Sequence, residues 1–120
     1  MSLSFDEYRR LDALGLAQAI RTGALSATEV LDAAMARLEA VNPRVNAVTH
    51  LSEAALDDAR RQPPQGPLGG VPYFIKDLHA PVRGMPLTHG SRLFADQWMD
   101  FDSETVARLR RAGLRILGRT

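Results

Sequence analysis

The chain has 120 residues, 45% of them hydrophobic and 24% charged, which suits one modest domain with a real core and argues against disorder. Fifteen Lys and Arg against fourteen Asp and Glu give a formal net charge of +1, which argues against a chain-wide nucleic-acid-binding field. With no cysteine there is no disulfide framework, thiolate nucleophile or thiolate metal ligand, and no run approaches the ~18 apolar residues of a membrane span.

The opening MSLSFDEYRRLDALG carries Asp6 and Glu7 early and lacks the apolar centre of a secretory signal, so a cytoplasmic location is the expectation. A first helix is expected over Ala13–Arg21, with Asp12 as its cap, Gly23 as its stop and Leu16, Ala19 and Ile20 as its apolar stripe. A second starts at Ser26, which with Glu29 forms an S-x-x-E capping box. Its face is Val30, Leu31, Ala34, Met35 and Leu38, and Asn42-Pro43 is expected to stop it. Val45–Val48 is a short extended candidate. A third helix is expected from about Ser52 to Arg61, closed by Pro63-Pro64.

The character then changes. Gln65–Gly70 reads as a tight connection, and Val71–Ile75 as a strand apolar throughout, the pattern of a strand buried on both faces. Leu78–Asp102 has little periodicity and four Pro or Gly punctuators, which implies a long shaped loop that builds a site or is covered by other chain. Asp102 or Ser103 caps a helix to Arg111, Gly113 ends it, and Leu114–Leu117 follows as a strand with Gly118 opening a turn. This order is one limb of an α/β unit, with residues 1–62 as a helical segment and 63–120 as the start of a core.

Lys76 ends the first strand between two Gly/Pro-rich loops. It is either an exposed or Asp77-paired charge, or a desolvated amine, walled by Tyr73, Phe74 and Ile75, that takes a proton. Thr88 and Ser91 are hydroxyls that either reach Lys76 or shape the loop. His79 and His89 near Asp77 lack metal-ligand spacing, so no metal is expected, and His50 reads as local structure. GPLGGVP lacks the order of a phosphate loop, and no cofactor motif occurs. Fourteen of the fifteen basic residues are Arg. Five of them, Arg108, Arg110, Arg111, Arg115 and Arg119, form either a solvated helix face with a strand exit or a phosphate-binding patch.

The segments GPLGGVPYFIKDLHAPVRGMPLTHGS and ETVARLRRAGLRILGRT, with LSATEVLDAAMARLEAVNPRVNAV upstream, resemble the amidase signature family across nearly the whole chain. The resemblance implies a mixed-sheet α/β fold with flanking helices, of which this is the N-terminal portion. It implies hydrolysis of a small-molecule amide through a Ser–cis-Ser–Lys triad, with Lys76 as the base that starts the proton relay. The charge balance points to no nucleic acid as partner, and a homodimer is one assembly of the full-length enzyme. Neither triad serine has a position here, so the chain alone is expected to be inactive. Arg119 stands where the family usually has lysine. The rival reading is a non-catalytic helical interaction module; a basic nucleic-acid binder is a weaker third.

Overall fold

The computed structural model describes residues 2–120. In chain order come α1 (Phe5–Tyr8), α2 (Ala13–Arg21), α3 (Ala27–Val45), β1 (His50–Leu51), α4 (Glu53–Arg61), β2 (Pro72–Ile75), a 3-10 turn at Arg92–Phe94, α5 (Glu104–Arg111) and β3 (Arg115–Arg119). The α/β class expected from the sequence is the class observed. The helix starts follow their caps: Asp12 accepts from the Gly15 N–H at 2.7 Å, and Ser26 and Glu29 exchange hydrogen bonds in the capping box. Ser52 and Ser103 cap α4 and α5 in the same way. The short α1 has no counterpart among the expected elements, although Ser4 and Glu7 form a second capping box. It is held against α3, where the Arg37 guanidinium lies 4.3 Å from the centre of the Phe5 ring.

Asn42-Pro43 does not stop α3. The helix runs through Pro43 to Val45 and ends at Asn46, in the left-handed region with φ 47°. A proline in the last turn leaves few helical bonds to disrupt, and Asn tolerates the left-handed ending. Nor is Val45–Val48 a strand. The Asn42 carboxamide takes both backbone groups of Val48, accepting from its N–H at 2.9 Å and donating to its C=O at 3.1 Å. Those groups are then unavailable to a ladder, and pairing begins two residues later at His50.

The sheet has the order β1-β3-β2, with β1 antiparallel and β2 parallel to β3. Between Tyr73–Ile116 and Phe74–Gly118 the register shifts, so Leu117 is an extra residue on β3. Gly118 lies inside β3 rather than opening a turn. A Cβ there would overlap the His50 carbonyl oxygen, so only glycine lets β1 approach β3 this closely. Gly113 meets a similar demand, with φ +103° and the Gln65 carbonyl where a Cβ would go. The expectation that β2 is buried on both faces is not met: β2 pairs only with β3, at the edge of the sheet, and Tyr73 is 42% exposed.

Three apolar clusters tie the layers together. Leu16, Ala17 and Val30 of α2 and α3 meet Val71 and Leu114 at the starts of the two long strands. Ile75 and Ile116 pack with Val106 of α5 and with Val82 and Met85 of the long loop. On the other side Leu117 packs with Leu31 and Ala59. The long loop is more regular than its sequence: Gly84 and Met99, Met85 and Met99, and Leu87 and Gln97 join by backbone hydrogen bonds of 2.8–3.1 Å. Its two arms therefore satisfy each other while Val82, Met85 and Leu87 go inward.

Candidate active site

Lys76 follows the last residue of β2, and the chain on both sides of it is fastened to the end of β3. The Thr120 N–H donates to Ile75 at 3.0 Å, and the Asp77 N–H donates to Thr120 at 2.8 Å. The Lys76 carbonyl accepts from the Leu78 N–H at 2.8 Å, which starts a turn. The lysine is thus the point where a parallel ladder ends and the loop begins. Its side chain is exposed, and among the described residues it makes no hydrogen bond or ion pair. The wall of Tyr73, Phe74 and Ile75 expected around it is not formed. Ile75 points into the core, Phe74 packs beside Leu117, and Tyr73 is open to solvent.

Asp77 does not pair with Lys76 either. One oxygen accepts from the Thr88 N–H at 2.7 Å and the other accepts a short bond from the Thr88 hydroxyl. Arg119 Nη2 lies 3.5 Å from Asp77 Oδ1, and the side chains of Arg119 and Asp77 are 0% and 11% exposed. Burial by itself would raise the Asp77 pKa; the two Thr88 bonds and the Arg119 cation outweigh it and hold the carboxyl below its usual value. Arg119 is in turn lowered by burial, an effect that Asp77 opposes. Arg119 Nη1 donates to the Ala80 carbonyl at 2.7 Å. The sequence groups Arg119 with the terminal arginines and does not foretell this pair. β3 carries an arginine at each end, Arg115 and Arg119, and nothing in the strand's own sequence says which of them is buried.

The other four arginines of the terminal group find partners away from Asp77. Arg108 and Arg111 bond Glu104, Arg110 bonds Asp102, and Arg115 donates to the carbonyls of Gln62 and Pro63. Of the two hydroxyls, Thr88 serves Asp77, and Ser91 accepts from Leu93 N–H to cap the 3-10 turn, so both shape the loop. His79 and His89, both in the left-handed region, bring their rings to 5.4 Å. No group of three His, Asp or Glu side chains able to hold a metal occurs among the described residues. His50 meets Trp98 edge to face at 5.4 Å, and its pKa is lowered by burial and by Arg119, against an opposing effect of Asp77. Grooves of about 460 Å³ beside α4 and α5, about 490 Å³ beside α3 and β1, and about 510 Å³ between Ser2, Leu3 and α3 are not lined by Lys76.

The sequence pattern of the family described as Amidase matches residues 29–120. The chain belongs to the amidase family. Over 118 residues this amidase-family chain is 44% identical to a glutamyl-tRNA(Gln) amidotransferase subunit of Salinispora arenicola, covering 92% of the chain and 24% of that protein. It superimposes with a TM-score of 0.83 and 36% identity on a 6-aminohexanoate cyclic dimer hydrolase, covering 92% of the chain and 23% of that structure. The peptide amidase of Stenotrophomonas maltophilia gives a TM-score of 0.80 at 31% identity, covering 94% of the chain and 25% of that structure. The chain thus spans about a quarter of the length of these relatives.

Proposed function

We propose that this chain is the lysine-bearing portion of an enzyme that hydrolyses a small carboxylic amide, and that Lys76 is its base. The supporting observation is the placement of Lys76, the sole lysine of the chain, at a strand end whose flanking residues Ile75 and Asp77 are both pinned to Thr120. A reacting amine needs such a fixed origin, because proton transfer falls off steeply with misalignment. In the proposed reaction the neutral lysine takes a proton through a bridging serine from a nucleophilic serine. The serine oxygen then attacks the amide carbon, the amine leaves with the returned proton, and water releases the acyl group. Backbone N–H groups would stabilise the oxyanion.

The two serines have no matching position within these 120 residues, so the 120-residue chain by itself is expected not to turn over an amide. In this reading segments 1–62 and 63–120 form one body, the enzyme is cytoplasmic, and neither a metal nor a cofactor takes part. The test compares p-nitroacetanilide and hexanamide hydrolysis by the 120-residue chain and by the whole product of its gene. Lys76→Ala in the whole product should cut kcat by at least ~10³-fold while leaving the circular dichroism spectrum unchanged. Undiminished turnover in that variant removes Lys76 from the chemistry; hydrolysis by the short chain that needs Lys76 sinks the inactivity claim.

A further inference from the structure

We propose that Asp77 and Arg119 are positioning residues for Lys76, an ion pair buried beneath the end of β2 that sets the direction in which the lysine leaves the strand. This rests on the reading of Lys76 as the base. Four anchors converge on this pair. Asp77 N–H donates to Thr120 at 2.8 Å, Asp77 accepts from the Thr88 N–H at 2.7 Å and from the Thr88 hydroxyl, and Arg119 donates to Ala80 at 2.7 Å. Ala80 and Thr88 are two points on the loop that follows Lys76, so the pair ties that loop to β3. With Ile75 buried on one side and the Asp77 side chain held by Thr88 and Arg119 on the other, the backbone of Lys76 is flanked by two fixed residues.

A fully buried guanidinium is costly, and replacing such a pair by apolar groups often leaves a fold equally stable. Its placement next to the proposed base is therefore better explained by geometry than by stability. The pair is also held by charge rather than by directed bonds. Arg119 Nε and Nη2 make no hydrogen bond among the described residues, and Nη2 meets Asp77 only at 3.5 Å. An ammonium at this position can replace the guanidinium; an uncharged side chain cannot.

The test uses the whole gene product with p-nitroacetanilide and hexanamide. Arg119→Met and Asp77→Asn should each lower kcat by about 100-fold with KM within about twofold, the size of effect expected when a reacting group is displaced by about an ångström. Arg119→Lys should recover most of that loss. Because a positioning residue acts only through its target, Asp77→Asn added to Lys76→Ala should slow the residual reaction no further. A further slowing in that double variant marks a general structural role and overturns the proposal. So does wild-type kcat in folded Arg119→Met and Asp77→Asn while Lys76→Ala is dead, a result that leaves the base reading standing. Undiminished turnover in Lys76→Ala overturns both together. If either single variant fails to fold, Thr88→Val, which removes one bond to Asp77 and no charge, should slow kcat by about tenfold. A wild-type rate there overturns the proposal.

Discussion

Breaking the Asp77–Arg119 pair from its two ends should have unequal effects on stability. In Asp77→Asn the Arg119 side chain, 0% exposed, keeps its charge and only the Ala80 carbonyl as a partner. An uncompensated buried cation costs about 3–5 kcal/mol. In Arg119→Met the Asp77 carboxylate, 11% exposed, still accepts both bonds from Thr88 and reaches some water. The loss is then closer to the ~1–2 kcal/mol of one charge-assisted contact and an orphaned carbonyl. Removing both charges together should cost less than the sum, because no bare charge remains. Urea unfolding followed by circular dichroism reads the difference. With a slope of about 2 kcal/mol per molar, Asp77→Asn should move the midpoint down by about 1.5–2.5 M and Arg119→Met by less than about 1 M. An Arg119→Met midpoint at or below that of Asp77→Asn would refute the account of which partner carries the burden of burial.

Gly118→Ala should destabilise by at least about 2–3 kcal/mol, because the added methyl meets the rigid His50 carbonyl. Gly84→Ala, with φ +77° but no atom within 4 Å of the new Cβ, should cost only the ~1–2 kcal/mol of a left-handed backbone, and urea midpoints separate the two. Ser26→Ala removes one half of the α3 capping box and should lower stability by about 1 kcal/mol, with the loss of helical signal in the same titration. The His50 pKa lies below 6.5 in the folded chain, so the unfolded chain binds the proton more readily. That contribution is complete above about pH 6.5 and lost as pH falls through the folded value. Melting temperature should therefore drop between pH 7.5 and 5.5, and His50→Gln should flatten the drop.

Helix starts are readable residue by residue, because each depends on a cap and the N–H two or three positions on. Ser26, Ser52 and Ser103 mark them, and all three caps form. Helix and strand ends are less so. The end of α3 turns on Asn42 reaching Val48, and the inclusion of Gly118 in β3 turns on the arrival of the His50 backbone. At the candidate site, Lys76 and its strand end are evident from an apolar run closed by Lys-Asp. The partner of Asp77 is not, since Arg119 sits in a run of arginines whose other members are partly or wholly at the surface.

Local order, family membership and the place of Lys76 at a strand end are all written in the chain, because capping, apolar periodicity and turn residues act over a few positions. Tertiary structure decided which charges are buried. Whether an arginine is a solvated end or the counter-ion under a proposed base depends on strands brought together from distant parts of the chain. In this protein β3 delivers Arg119 beneath the end of β2, and no local pattern around either residue encodes that meeting.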